Sequence, residues 1–224
     1  DSSGAAVLSS GTRRGAVYGL HTLRQLLQRP SGGCPVGGGA AAASLCGLPL
    51  RVADHPAFQY RGFLVDSARF TMPVPFVKRV VEALSFLKYR QLHWHLTDDS
   101  SVAMPLDALP GEQPRRYTRE EVREVAEHAA LHGVDIVPEV DLPAHAYQWK
   151  PWATECPEAA RKDWWHWKKF KEMEGVAAWG TPLDVGRPGL YSMLRAVLNE
   201  TAAAFDLDLG RDWLHLGGDE VNAA

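Results

Sequence analysis

Apolar residues near the start of the chain recur at helical spacing. Val17, Leu20, Leu23, Leu26 and Leu27 share one face of residues 15–28, which predicts an amphipathic helix. Residues 29–47 break that pattern with Gly, Pro, Ala and Ser and read as a flexible loop or linker. From residue 61 the rhythm changes to short apolar runs: RGFLVD at 61–66, QLHWHL from Gln91, VDIVPEV from Val134 and DWLHLGG from Asp212. Between them lie helical patterns over about 74–88, from Thr118, and over about 188–205. Glu121 follows Thr118 by three residues, the spacing of a capping box, and Val122, Val125, Ala126 and Ala129 share one face of that helix. Leu190, Leu194, Val197 and Leu198 do the same in the last. Four strands with three helices between them are therefore expected, with a boundary near residues 49–60.

Parallel strands joined by crossover helices form either an open doubly wound sheet or a (β/α)8 barrel. The first two strands begin at 61 and 91, a spacing close to one barrel unit, and no G-x-G-x-x-G or Walker A run follows any strand. The pattern favours the barrel.

Composition narrows the partners. With 24 basic and 27 acidic residues and a net charge of −3, the chain offers no basic field for nucleic acid. Its apolar runs are too short for a spanning helix, and the start DSSGAAVLSSGT lacks a charged-then-apolar leader, so no membrane anchor is expected. At 46% hydrophobic content the chain can bury a sizeable core, and a neutral small molecule fits best as ligand. Cys34, Cys46 and Cys156 have no C-x-x-C spacing, which argues against a zinc knuckle; a Cys34–Cys46 disulfide and free thiols both remain open. Oligomeric state and compartment are not legible from composition.

In both architectures ligands sit at the carboxyl ends of the strands. Those ends are polar here: Asp66 and Arg69 after the first run, His95, Asp98 and Asp99 after the second, Glu139, Asp141 and His145 after the third, Asp219 and Glu220 after the fourth. Singly, an Asp after a strand commonly caps a helix or makes a turn. Convergence of four strand ends on one rim suits a substrate rich in hydroxyls that needs proton transfer. His93 and His95 lie on one face of a regular strand at a metal-ligand spacing, although only His145 could extend the cluster and hydrogen-bonded core histidines are commoner. Six of the eight tryptophans fall within residues 147–179, where aromatic rings offer flat platforms to sugar rings or to another protein; most are expected to pack the insertion onto the barrel and at most one or two to touch ligand.

Asp219 and Glu220 are adjacent, so the strand must end or bulge for both to reach one site, and Gly217 and Gly218 permit that. Two crowded carboxylates cannot ionise independently: one keeps its proton as an acid while the other stays charged. Sequence neighbours are poorly placed to flank a glycosidic bond as acid and nucleophile. They suit a substrate whose 2-acetamido oxygen is its own nucleophile, with Glu220 as acid/base and Asp219 steering the amide.

Five blocks carry a resemblance: YGLHTLRQLL from Tyr18, residues 54–69 (DHPAFQYRGFLVDSAR), HWHLTDD from His93, PEVDLPAH from Pro138 and HLGGDEV from His215. In that order they resemble family 20 glycoside hydrolases, the β-N-acetylhexosaminidases. The resemblance implies the N-terminal half of a (β/α)8 TIM barrel, about four β/α units over residues 51–224, preceded in residues 1–50 by the tail of a small α/β domain and a Gly/Ala-rich linker. It implies a retaining, substrate-assisted glycosidase acting on N-acetylhexosamine-containing glycans, with no cofactor and no metal, in a lysosomal, vacuolar or secreted setting. By motif, Glu220 corresponds to the acid/base, Asp219 to the acetamido-orienting carboxylate, Arg69 to the ligand of the 3- and 4-hydroxyls, Asp98 and His145 to the network behind the acid, and Asp141 to a further substrate-site carboxylate; His95 and Glu139 support them. Phe70 and Ala144 depart from the pattern without removing a catalytic group. The family's second half, with its tryptophan walls, is absent from these residues, so the isolated segment is expected to be inactive. The alternatives are a non-catalytic sugar-binding or scaffold relative, and a metal-dependent hydrolase using His93 and His95.

Overall fold

The computed structural model describes residues 6–27, 45, 48–109, 116–149, 183, 185–186 and 188–220. The three cysteines, the Gly/Ala-rich loop apart from Leu45, and five of the six clustered tryptophans lie outside the described residues. Strand β2 (Gln91–His95) runs parallel to both of its neighbours, β1 (Gly62–Asp66) and β3 (Asp135–Glu139). The register sets His95 beside Asp66 on one side and beside Glu139 on the other. Because side chains alternate, Leu92 and Trp94 face one way and Gln91, His93 and His95 the other.

Helices cover the apolar side. Helix α2 (Val74–Phe86) connects β1 to β2 and buries Val74, Val77, Val81 and Leu84; α3 (Arg119–Leu131) connects β2 to β3 and buries Val122, Val125 and Ala129. They pack with α4 (Pro188–Ala204), through Leu190, Met193 and Val197, around a core that includes the fully buried Leu92, Trp94 and Leu96. Trp94 donates its indole N–H to Ser67 at 2.9 Å, so its polar atom is satisfied inside the core. Trp149, the described member of the tryptophan cluster, is also fully buried in this core and forms no exposed platform.

The capping box expected at Thr118 is present in both directions, with Glu121 N–H donating to Thr118 Oγ1 and Thr118 N–H to the Glu121 carboxylate. The first helix, α1 (Arg13–Leu26), begins two residues earlier than its apolar spacing predicts, because Thr12 caps it. It lies at the amino ends of the strands, where Arg14 meets Gly133 and Asp135 and Tyr18 donates to the Tyr89 carbonyl.

One expectation needs correction. Four strands were expected and three form among the described residues; the segment from Asp212 reaches β3 through a single parallel bridge, His215 to Glu139. Backbone bonds between Val140 and His215, His215 and Pro138, and Leu142 and Leu216 place it where a fourth strand belongs. Its start is taken by a turn in which Asp212 caps Asp208, and its end by Gly217 and Gly218 at φ +66° and +99°, so too few extended residues remain to make a ladder.

Candidate active site

The carboxyl ends of the three strands and of the bridging segment bring the expected residues together on one rim. At the end of β1, Asp66 accepts the Arg69 backbone N–H at 2.9 Å and pairs with its guanidinium at 2.6 Å. The other guanidinium arm reaches Asp98 at 2.7 Å. Asp98 sits on a small loop after β2 closed by a bridge from Thr97 to Val102 and by the Asp98 N–H to the Ser101 carbonyl, and this loop buries both Asp98 and Asp99.

His95 lies between two carboxylates, 2.7 Å from Glu139 through Nδ1 and 3.2 Å from Asp98 through Nε2. Burial alone would lower its pKa, but the hydrogen bonds to Asp98 and Glu139 raise it to about 10, so the ring is an imidazolium at neutral pH. Burial likewise opposes the charge on Glu139, yet its bonds to His93 and His95 hold it well below the usual carboxylate range. Asp98 is also lowered, since His95 and Arg69 outweigh its burial.

His93 and His95 do share a partner: both rings reach Glu139 Oε2, at 2.8 and 2.7 Å, and His215 comes within 2.9 Å of Oε1. His215 was not legible as a site residue, nor was Asp99 as the partner of His145; both contacts bridge distant parts of the chain. The register partnership of His95 and Glu139 is the feature that makes Glu139 a hub.

After β3, the Asp141 backbone N–H donates to Thr97 Oγ1 at 2.8 Å. Burial, and next the charge of Asp219, raise the Asp141 pKa from 3.8 to about 6. The crowded carboxylate beside Asp219 is thus Asp141. A Cβ at Gly217 would fall 1.8 Å from Asp141 Oδ1, and the Gly218 N–H donates to that oxygen at 3.3 Å; glycine is required by this approach as well as by its φ. Buried His145 lies 3.3 Å from Asp99 and 3.7 Å from Asp98 through Nδ1. Its pKa is raised, because Asp98, Asp141 and Asp99 outweigh burial. Its Nε2 stands 3.1 Å from the Glu220 carboxylate, a charge contact without hydrogen-bond alignment. Glu220 itself has φ +50° and a largely exposed side chain. The rim therefore holds an accessible carboxylate backed by a buried imidazole and two aspartates, beside Asp141, whose pKa is raised to about 6 by burial and by the neighbouring Asp219.

Residues 58–224 match the catalytic domain of glycosyl hydrolase family 20. Beta-hexosaminidase 1 of Arabidopsis thaliana is 32% identical over 98% of the chain, and human beta-hexosaminidase subunit beta is 29% identical over 96%. In each case the chain spans 36% of the relative's length. Among solved structures, a family 20 β-N-acetylglucosaminidase superposes with a TM-score of 0.69 at 26% identity, covering 96% of this chain and 45% of the other. An exo β-N-acetylglucosaminidase of Vibrio harveyi, in complex with N-acetylglucosamine, superposes with 0.68 at 25% identity, covering 95% and 34%.

Proposed function

The chain belongs to glycosyl hydrolase family 20, and from that premise we propose that it supplies the acid/base side of an enzyme that removes terminal β-linked N-acetylhexosamines from glycans. The observation that carries this reading is the line from exposed Glu220 to buried His145 and on to Asp98 and Asp99. A carboxyl group that must give up a proton and then take one back needs a partner fixed on its far side, and His145 has that position.

In the proposed reaction the substrate's acetamido oxygen attacks the anomeric carbon. The bond to the leaving oxygen breaks with its electron pair, and that oxygen takes the proton of Glu220. Asp219 accepts the amide N–H and offsets the positive charge spread over the five-membered intermediate, and below about pH 6, where Asp141 is protonated, no second negative charge competes beside it. Water then attacks the anomeric carbon, its proton passes to Glu220, and the ring opens to a product of retained configuration. Arg69, half exposed and anchored by Asp66 and Asp98, has further N–H donors for the 3- and 4-hydroxyls.

Release of an aryl alcohol from aryl N-acetyl-β-glucosaminide by the whole enzyme, of which this chain supplies one side, tests the assignment. Glu220→Gln is expected to lower kcat/KM by about 10²–10⁴; an unchanged rate overturns it. A thiazoline analogue of the cyclised intermediate is expected to inhibit far more strongly than N-acetylglucosamine, as a mimic of a high-energy species does. Equal inhibition would remove the substrate-assisted step while leaving the glycosidase reading in place.

A further inference from the structure

At the opposite end of the strands from the carboxylate rim, two histidines and a glutamate of neighbouring helices come together. His128 lies in the last turn of α3 and His132 is its C-cap, four residues on, a spacing that puts both rings on one helical face. The rings are 4.3 Å apart between centroids. Glu82 faces them from α2, and one ligating atom from each of the three residues lies within 4.8 Å of the others.

We propose that Glu82, His128 and His132 bind a divalent first-row transition metal, Zn²⁺ foremost, which clamps α2 to α3. Nothing in the catalytic reading uses this cluster.

Three observations support it. First, His128 Nε2 is buried and makes no hydrogen bond among the described residues, yet it stands 3.3 Å from Glu82 Oε1. Two ligands each about 2.1 Å from a tetrahedral ion are about 3.4 Å apart, so the pair already has coordination spacing. Second, His132 Nδ1 donates to the His128 carbonyl at 2.9 Å. That bond fixes the tautomer and leaves the lone pair on Nε2, the arrangement that second-shell bonds impose on ligating histidines. The His132 backbone is pinned in turn, its N–H donating to the His128 and Ala129 carbonyls and its own carbonyl accepting from Ser85 Oγ at 2.7 Å. Third, the site is at a helix C-terminus, whose unpaired carbonyls favour a cation. Lys78, the nearby competing cation, is engaged with Glu124 at 2.9 Å. Two imidazoles and a carboxylate suit Zn²⁺, Co²⁺, Ni²⁺ or Cu²⁺ and do not suit Mg²⁺ or Ca²⁺, which take oxygen ligands; water would complete the shell.

The test uses tag-free, metal-stripped protein titrated with Zn²⁺ and Co²⁺. About one equivalent is expected to bind, with the d–d absorption of four-coordinate Co²⁺, an upward shift in Tm and reversal by chelator, since a ligand of the native state alone stabilises it. Glu82→Gln and His132→Gln are expected to lose the stoichiometric binding and the Tm shift while far-UV circular dichroism stays native. Failure of the wild type to bind overturns the proposal, as does binding unchanged in His132→Gln. So does binding that survives both variants and disappears on His215→Gln, which would assign the ion to the His93, Glu139 and His215 group at the rim. No readout depends on glycosidase turnover.

Discussion

Strand β2 presents two rows of side chains one residue apart, and they differ in almost every physical respect. Leu92 and Trp94, continued by Leu96, are fully buried against helices and interact through shape and apolar area. His93 and His95, nearly as enclosed, interact through charge and direction, each ring aimed at Glu139. The outer row stabilises whatever the inner row does. The inner row has little to gain from area and depends on its partners across β1, β3 and the bridging segment. A strand can therefore hold a rim of charges in place at its end because the residues between them anchor it.

The largest break in that comparison is expected from Trp94→Ala, which empties a large buried site and removes the bond to Ser67; a loss of about 3–5 kcal/mol is expected from chemical denaturation. On the rim, Gly217→Ala should leave the core intact but displace Asp141, lowering kcat/KM by about 10²-fold, the scale of an ångström-sized misplacement. An alanine variant with wild-type turnover would show that Asp141 need not stay where it is. Glu139→Gln keeps the shape while removing the charge between His93, His95 and His215; a cost of about 1–3 kcal/mol is expected, smaller than that of Trp94→Ala because His95 retains Asp98. The smallest effect, about 1 kcal/mol, belongs to Thr118→Ala, which removes one side of the α3 capping box and should leave activity untouched.

The dependence of stability on pH separates the rows further, because the outer one does not titrate. His95 is raised from 6.5 to about 10, so its contribution is fully present below pH 6.5 and is lost as pH rises through about 10. Glu139, lowered from 4.5, contributes above that pH and loses its contribution as pH falls toward its folded value. Asp141 has the opposite sign for a carboxyl group. Raised from 3.8 to about 6, it holds its proton more tightly when folded, and its ionisation costs stability as pH climbs through that window. Unfolding free energies of Asp141→Asn across pH 4 to 6 should lack this downward component; an unaltered slope would show that Asp141 is not the group responsible.

The local features of this fold were legible in the residues. The alternation in β2, the apolar faces of α2 and α3 and the Thr118 cap each depend on neighbours within one turn or one strand. So did the gathering of Arg69, Asp98, Glu139, Asp141, His145, Asp219 and Glu220 at one end, which follows from strand direction alone. A fourth strand does not form among the described residues, and nothing in DWLHLGG announces that Asp212 is spent on a turn; the break at Gly217 and Gly218, both at positive φ, is the one that the adjacency of Asp219 and Glu220 called for. The pairing of charges was partly hidden for a related reason. Adjacency pointed to Asp219 and Glu220 as the crowded carboxylates, whereas the structure sets Asp141, 78 residues earlier in the chain, beside Asp219 and gives Glu220 to His145. Long-range contacts such as these depend on the register between strands and on loop closure, which local patterns do not encode.

Gly217 has a consequence for how this sequence can vary. A hydrogen atom occupies the space where any other residue would drive a carbon into the Asp141 carboxylate. In a library of variants, selection for turnover should return only glycine at 217, although that residue has no functional group to offer a sugar. Helix-facing positions such as Val77 and Val125 should accept several aliphatic replacements of similar volume. Intolerance to substitution would then mark the close approach of Gly217 to Asp141 rather than contact with a substrate, and a map of permitted residues would read as geometry at 217 and as chemistry only at its neighbours.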